Sequence, residues 1–473
     1  MTHATPAAPT PVEPAPVPAA VMRRRVVAWA LWDWGSAAFN AVITTFVFTR
    51  WLTSSAFVDA ATVTAAEAEG AAGGPATTLL DDVIATHSSW LGWGLTIGGL
   101  FIALLAPVAG ARSDDSGRRR LWLGVHTGIV VLISAAMFLV TPDPDNLSQN
   151  LLLGIFLLAA GTIFFELAGV NYNATLAQVS TPRTVGRISG IGWGAGYLGG
   201  IVLLLILFVG FINPEVGWFG VTGEDGMNIR VAVLISAIWF AAFAVPVLVA
   251  VPEVPADASR ARIGFLASYR RLFADVADLW RDARNTLRFL VASAVFRDGL
   301  AGVFTFGAVI ASGTFGFSAG EVIIFAIAAN VVAGVATITA GWFDDRLGAK
   351  TIIMTSLIGL VVAGTALFVL HAGGATVFWV FGLALSLFVG PAQSASRTLL
   401  ARLIPPGRES EVFGLYATTG RAASFLAPLG FATAIAVGGG QHWGILGIIA
   451  VVALGLVLLW PLRVGGRPEL PDA

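Results

Sequence analysis

Four ionisable side chains lie inside long apolar stretches of the sequence: Asp33, Glu166, Arg297 and Asp298. A charged group inside a bilayer costs roughly 2.5–3.5 kcal/mol on insertion scales, so each of them is a candidate for function. A carboxylate can bind an ammonium group or carry a proton, and a guanidinium can bind a carboxylate. We therefore expect these side chains to bind a solute or a coupling proton. The competing interpretation is structural, with Asp33 bonded to nearby helix ends and Glu166 paired with an arginine.

Other polar and aromatic side chains in the apolar stretches are candidates for lining a cavity. They are Trp29, Trp32, Trp34, Asn40, Asn173, Trp193, Tyr197 and Gln393. Aromatic side chains in membrane proteins more often anchor helices at the interface or pack against neighbours. Arg297 could also pair with Glu166 or Asp33. Arg397 and Arg421 lie near the inner ends of their stretches, where we expect them to extend to lipid phosphates.

A ten-residue pattern occurs twice, as Gly-Ala-Arg-Ser-Asp-Asp-Ser-Gly-Arg-Arg from Gly110 and as Gly-Trp-Phe-Asp-Asp-Arg-Leu-Gly-Ala-Lys from Gly341. Small residues let helices approach closely, an aspartate can cap or pair with a neighbouring helix, and cations anchor at the inner interface. The first copy departs by placing Asp115 where the second has a cation. We predict that both loops are gates, formed by Gly110, Asp114, Gly117, Arg118, Arg119, Gly341, Asp345, Arg346, Gly348 and Lys350.

Two further correspondences extend this internal repeat. The segment 173–182 resembles the segment 396–405, and both are followed by cations and a glycine-containing helix start. Asp33 and Asp298 each lie in the first apolar stretch of their half of the chain. The repeat therefore predicts two equivalent bundles related by a pseudo-two-fold axis, with the two aspartates in corresponding places.

Long apolar runs must position these groups. The chain is 56% hydrophobic and 12% charged with a mean hydropathy of +0.83, and its apolar runs are continuous rather than alternating, which predicts membrane-spanning helices. Hydropathy predicts twelve spans, near 27–50, 90–110, 121–140, 150–172, 187–211, 230–250, 288–312, 320–341, 351–370, 375–397, 411–436 and 442–462.

Loop charges predict the orientation, because cytoplasmic loops carry the excess of Lys and Arg. With both termini inside, only Arg50 and Arg230 fall on the outer side. We expect a disordered cytoplasmic tail, a six-helix bundle, a cytoplasmic linker, a second six-helix bundle and a cytoplasmic tail, at 1–22, 23–251, 252–287, 288–463 and 464–473. Residues 263–287 have the pattern of an amphipathic helix, lying on the membrane surface or serving as a regulatory docking helix.

The composition argues against several other classes of protein. There is no cysteine, which excludes disulfides and thiol catalysis. The five histidines are scattered, the serines have no accompanying His and acid, and no G-x-x-x-x-G-K-S/T loop occurs. The arginines occupy short loops and form no basic domain. We therefore expect neither an enzyme, an ATP-driven pump nor a nucleic-acid-binding protein, and no cofactor or metal.

Several motifs resemble one branch of the major facilitator superfamily, which contains the autophagy-related vacuolar amino-acid effluxer of yeast and its bacterial relatives. The duplicated pattern is similar to the superfamily's signature loop between spans two and three. The opening Trp-Ala-Leu-Trp-Asp-Trp-Gly-Ser-Ala-Ala-Phe at 29–39 resembles the branch's W-A-L-Y-D-W-A-N-S-A-Y, with Gly35 for Ala and Ser36 for Asn. The segments 173–200, 296–299 and 396–416 are similar to it as well.

The resemblance implies an all-α polytopic membrane protein with the major facilitator fold, twelve transmembrane helices in two pseudo-symmetric six-helix bundles. It implies a secondary active transporter that exports a small polar or zwitterionic solute, such as an amino acid or peptide, by alternating access, with protons as the coupling ion. The alternatives are a drug or sugar exporter of the same superfamily and a non-transporting membrane sensor. We expect a monomer in the plasma (inner) membrane, with the solute and the lipid bilayer as partners.

Overall fold

The computed structural model describes residues 18–70, 74–253, 277, 280–281, 284–317, 319–404, 408–438 and 441–462, and this part of the chain is helical. Apart from helices it contains an isolated antiparallel bridge between Val216 and Thr222. Most of the predicted amphipathic linker helix, at 263–287, lies outside the described residues. The predicted tails, 1–22 and 464–473, lie outside them too, except for residues 18–22. The first helix begins within this stretch, at Ala19.

In its described residues the first half of the chain forms nine α-helices, several of them continuously apolar. Their bounds are α1 Ala19–Ala37, α2 Phe48–Leu52, α3 Ala60–Glu69, α4 Pro75–Ser116, α5 Arg119–Ala136, α6 Leu147–Ala174, α7 Leu176–Val179, α8 Val185–Leu207 and α9 Met227–Ala250. A π-helical stretch, Ala38–Phe46, leads from α1 towards α2.

The second half forms seven α-helices in the described residues. They are α10 Arg284–Gly313, α11 Ala319–Leu347, α12 Ala349–Val369, α13 Gly374–Leu403, α14 Glu409–Ala423, α15 Leu426–Gly438 and α16 Trp443–Leu459. Eleven helical segments of the described residues are long and apolar enough to cross a bilayer, and α16, with 17 residues, is an apolar helix at the lower limit of length. The predicted all-helical polytopic fold is confirmed.

Two of the differences between the predicted spans and the observed helices concern α4 and the segment 411–436. The span predicted near 90–110 belongs to α4, which has 42 residues and is therefore about 63 Å long. The helix begins before the predicted span because the Glu69 carboxylate accepts hydrogen bonds from the backbone amides of Ala76 and Thr77, 2.9 and 2.8 Å away. These bonds lower the pKa of Glu69. The span predicted near 411–436 is divided into α14 and α15.

Contacts between the halves are concentrated at one end of the bundle, here called the motif-loop end because it carries the loops that begin near Gly110 and Gly341. On α4, a methyl group at Gly110 would overlap the backbone carbonyl of Ser410. On α14, a methyl group at Gly414 would lie 2.5 Å from the carbonyl oxygen of Ala106. Small residues therefore allow backbone-to-backbone packing between the halves at this end.

The second contact between the halves joins α8 to α11. A methyl group at Gly190 would lie 2.7 Å from the carbonyl oxygen of Thr337, and one at Gly341 would lie 2.7 Å from that of Gly186. Farther along α4, by contrast, Gly98 packs against Ala159 of its own half. The glycine contacts between α4 and α14 thus lie at the motif-loop end, and Gly98, farther from that end, packs within its own bundle.

Candidate functional site

A buried ion pair joins the two halves where α1, α6 and α13 meet. Nη1 of Arg397 lies 3.4 Å from Oδ2 of Asp33, and the two side chains are 5% and 17% exposed. The hydroxyl of Tyr172 donates to the same carboxylate oxygen over 2.9 Å. Asp33 and Tyr172 belong to the first half and Arg397 to the second. The carboxylate therefore receives two donors, one from each half.

The guanidinium of Arg397 makes further contacts with the first half. It donates from Nη2 to the carbonyl oxygen of Ser189 over 2.7 Å, from Nε to its hydroxyl over 3.0 Å, and from Nη1 to Oδ1 of Asn173 over 3.3 Å. We call Asp33, Tyr172, Asn173, Ser189 and Arg397 the central cluster. A planar fork of donors suits arginine and could not be reproduced by lysine.

Aromatic packing fixes the position of Tyr172 in this cluster. Its ring lies between those of Trp29 and Trp32, with centroids 4.6 and 4.2 Å away. The indole of Trp32 donates to the hydroxyl of Thr127 and its residue is 2% exposed. Trp32, predicted to line a cavity, is instead buried behind Tyr172. The Trp-rich opening of α1 thus provides a rigid wall against which the Asp33 carboxylate is held.

The first motif loop closes on the N-terminus of α14. The carboxylate of Asp114 accepts hydrogen bonds from the backbone amides of Ser410 and Glu411, 3.2 and 2.9 Å away. Arg119 pairs with Asp114 over 2.7 Å and with Glu409 over 2.5 Å, so its guanidinium bridges the two halves. The first amides of a helix have no intrahelical partner, and a carboxylate there also interacts favourably with the helix dipole. Asp114 therefore caps a helix of the opposite half.

The second motif loop makes the corresponding contact with α8. The carboxylate of Asp345 accepts hydrogen bonds from the backbone amides of Gly186 and Arg187, 2.7 and 2.9 Å away. Its neighbour Asp344 pairs with Arg402 over 2.6 Å within the second half. Asp114 and Asp345 thus each bind the N-terminal amides of a helix in the other half.

The remaining motif residues have other roles. Gly117 ends α4 with a φ of 63°, a left-handed conformation that glycine adopts without strain, and Gly348 has a φ of 89° before α12. Arg118 and Arg346 are exposed. Lys350 donates to the carbonyl oxygens of Trp460 and Leu462, over 2.9 and 2.7 Å, and so binds the end of α16 within its own half. The contacts of Lys350 in this structure are with its own half and do not cross between the halves.

Two other charged residues predicted to be functional, Glu166 and Arg297, have partners outside the central cluster. Glu166 on α6 pairs with Arg421 on α14, and their side chains are 30% and 35% exposed. The guanidinium of Arg297 lies over the ring of Tyr416, 3.8 Å from its centroid, and donates to its carbonyl oxygen. Of the alternatives considered for Arg297, pairing with Glu166 or Asp33 does not occur in this structure.

Asp298 is not placed like Asp33, although each lies in the first span of its half. It is 8% exposed and its carboxylate accepts a hydrogen bond from the amide of Ala427, 2.5 Å away, near the start of α15. The structure thus places Asp298 as a helix cap, away from the central cluster. Of the uncharged candidates, Tyr197 donates to Gln393 across the halves over 3.1 Å, and Asn40 is exposed on the π-helical stretch.

The expectation that Arg397 and Arg421 extend to lipid phosphates is wrong. Arg397 is 4% exposed in the central cluster, and Arg421 pairs with Glu166. Sequence reasoning missed Arg397, Tyr172 and Ser189 as parts of one cluster. A usable signal was the run Ser-Ala-Ser-Arg-Thr at 394–398, because small polar residues around an arginine are typical of a helix surface buried in protein rather than facing lipid.

Asp114→Asn is expected to lower the free energy of unfolding by about 1.5–3 kcal/mol, because it removes the charge that Arg119 and the amides of α14 bind. The measurement is the thermal unfolding of the detergent-purified protein. The control is Asp145→Asn, which changes an exposed carboxylate at the other end of the bundle. Equal stabilities of Asp114→Asn, Asp145→Asn and the unchanged protein would contradict the capping role of Asp114.

Residues 22–466 match a protein family described as "Vacuole effluxer Atg22 like". The chain is 24% identical over 432 residues to the uncharacterized MFS-type transporter YxiO of Bacillus subtilis, covering 91% of this chain and 93% of that one. It is 27% identical over 309 residues to autophagy-related protein 22 of Cryptococcus neoformans, covering 60% of this chain and 54% of the relative. The chain thus spans about half the length of that fungal relative.

Solved structures of transporters have the same fold. The proton:xylose symporter XylE, bound to 6-bromo-6-deoxy-D-glucose, superposes with a TM-score of 0.65 at 13% identity, covering 93% of this chain and 94% of that one. The major facilitator superfamily transporter FucP, in its outward conformation, gives a TM-score of 0.65 at 12% identity, covering 93% of this chain and 99% of FucP.

Proposed function

Because the chain belongs to the Atg22-like vacuole effluxer family of major facilitator transporters, we propose that it exports a small polar or zwitterionic solute, most simply an amino acid or short peptide, in exchange for protons. The family is one of secondary transporters and not of enzymes. The observation that carries the proposal is the Asp33–Arg397 ion pair, which connects the halves through a group able to take up a proton.

We propose that the motif-loop end faces the cytoplasm, as the distribution of arginines predicts. The structure then corresponds to a state closed to the cytoplasm, because Asp114, Asp345 and Arg397 all bind the opposite half at or near this end. The central cluster lies between the motif loops and the opposite end of the bundle, which faces outward in this orientation. In this orientation the amino-terminal tail, the linker and the carboxy-terminal tail are cytoplasmic. The membrane that we propose is the plasma membrane.

Alternating access follows from the contacts that would have to break. Protonation of Asp33 removes the charge that binds Arg397, so it weakens the central cluster in the closed state. The two motif aspartates must then release the amides of α8 and α14 for the cytoplasmic end to open. A proton arriving from outside would in this way favour the state in which the solute is collected from the cytoplasm, as proton-driven export requires.

The test is transport by the purified protein in liposomes. The liposomes have the same amino-acid concentration inside and outside, so an inwardly directed proton gradient is the driving force. We expect loss of radiolabelled amino acids from the liposomes when protons flow in, and no such loss after a protonophore collapses the proton gradient. Dipeptides and monosaccharides serve as parallel substrates under the same conditions. Failure of a proton gradient to move any of these solutes would overturn the proposed coupled transport.

A further inference from the structure

A second ion pair between the halves lies farther from the motif loops than the central cluster. Glu166 precedes Asn173 by seven residues on α6, which is about 10 Å along a helix. Arg421 follows Glu411 by ten residues on α14, about 15 Å beyond the amide that Asp114 binds. The pair therefore bridges the halves on the side of the central cluster away from the motif loops.

The exposure of this pair distinguishes it from the other ion pairs between the halves in the described residues. Glu166 and Arg421 are 30% and 35% exposed, whereas Asp33 and Arg397 are 17% and 5% exposed and Arg119 and Glu409 are 5% and 17% exposed. About a third of each of these two side chains is therefore accessible for contact with a solute. The deeper pairs are covered by protein.

A further cation packs against the same stretch of α14. A methyl group at Gly420, the residue before Arg421, would lie 3.2 Å from Nη1 of Arg297, so this guanidinium packs flat against α14. Among the described residues no carboxylate lies within ion-pair distance of Arg297, which contacts the ring and the carbonyl oxygen of Tyr416. Arg297 and Arg421 thus place two guanidinium groups at this part of α14, and a guanidinium binds the carboxylate of a solute through charge-assisted hydrogen bonds.

We propose that Glu166 and Arg421 bind the two charges of a zwitterionic solute, the ammonium group to Glu166 and the carboxylate to Arg421. This inference rests on the proposed transport function and names its substrate class. Insertion of a zwitterion between the two side chains replaces one ion pair by two, so no charge is left unpaired. Because one partner belongs to each half, the bound solute itself connects the halves. A solute with only one of the charges leaves Glu166 or Arg421 without a partner, and the site therefore selects against it.

The experiment measures ligand-dependent thermal stabilisation of the detergent-purified full chain. The probes are an equimolar mixture of L-amino acids, the corresponding methyl esters, which lack the carboxylate charge, and the N-acetyl derivatives, which lack the ammonium charge. We expect the amino acids to stabilise the protein and both derivatives to bind about tenfold or more weakly.

Variants separate the two charges of the site. Glu166→Gln and Arg421→Gln are each expected to weaken amino-acid binding about tenfold or more, whereas Glu166→Asp and Arg421→Lys retain part of it. The matched control is Arg120→Gln, which breaks an ion pair with Glu253 within the first half, and it should bind as the unchanged protein does. The unliganded melting temperature of each variant shows that it is folded.

Two results would overturn the inference. One is unchanged amino-acid binding in both glutamine variants, and the other is equal binding of the amino acids and their methyl esters or N-acetyl derivatives. If the protein binds no amino acid but transports a monosaccharide in liposomes, the zwitterion site is wrong and proton-coupled transport stands. If it transports nothing in liposomes, the proposed function itself fails.

Discussion

Arg397→Gln is expected to abolish proton-driven transport and to release the motif-loop end of the bundle. The guanidinium binds Asp33, Asn173 and both the backbone and the hydroxyl of Ser189, and it is almost completely buried. Breaking a buried ion pair by removing one partner costs about 3–5 kcal/mol. Because Asp33 and Arg397 belong to different halves, the loss of their ion pair destabilises the closed state relative to the open state by this amount. A shift of this size changes the ratio of closed to open molecules by about a hundredfold or more.

Asp33→Asn tests the same pair from the other side. Asparagine keeps the shape and can still accept a hydrogen bond from Tyr172, but it has no charge and cannot exchange a proton. We expect proton-driven transport to be lost while exchange of solute for solute across the liposome membrane continues, because that exchange needs no proton. The control is again Arg120→Gln, whose ion pair with Glu253 lies within one half and is about one-third exposed. Undiminished proton-driven transport by Asp33→Asn or Arg397→Gln would remove the basis of the coupling proposal.

Gly341→Val should have the second large effect, by preventing closure of the motif-loop end. A methyl group at Gly341 would meet the carbonyl oxygen of Gly186 at 2.7 Å and Cα of Arg187 at 3.1 Å, and both are backbone atoms of α8. Backbone cannot rotate away as a side chain can, so the added group separates α8 from α11. The closed state becomes inaccessible, and we expect transport to fall to the background of empty liposomes.

A matched control for this substitution is Gly128→Val on α5. A methyl group there has no heavy atom within 4 Å, and the helix propensity cost of the change is the same. Gly128→Val should therefore be folded and should transport as the unchanged protein does. If Gly341→Val retained full transport, or if both variants lost it equally, close packing of α8 on α11 would not be part of the transport cycle.

The spans were predictable because long apolar runs leave few alternatives to helices in a bilayer. Their ends were less so, because they depend on local polar contacts. The predicted span near 90–110 omits the start of α4, since the cap comes from Glu69, six residues before Pro75 in the sequence. The division of the predicted span 411–436 coincides with the position where Asp298 binds the amide of Ala427 at the start of α15, a contact between residues far apart in sequence.

Single residues of the site could be predicted from the sequence, but the residues with which they pair could not. Asp33 and the two motif loops stand out in the sequence as an acid in an apolar run and as a duplicated pattern. Their partners belong to the other half, and Arg397 is 364 residues from Asp33. Seen on one helix alone, an arginine near an inner end is expected to reach the lipid surface. Only the packing of the halves, through Gly190 and Gly341 among others, encloses Arg397 and makes a carboxylate its partner.

The central claim, that these contacts close one end of the bundle, is tested most directly by distances between spin labels. The chain has no cysteine, so labels attach only where cysteine is introduced. One pair, at Arg183 and Arg288, reports the motif-loop end, and another, at Glu215 and Ala372, reports the opposite end; all four positions are exposed. We expect Arg397→Gln and Gly341→Val to lengthen the first distance and shorten the second, and Gly128→Val to change neither. Distances that stay unchanged in all three variants, or that lengthen at both ends together, would contradict the account.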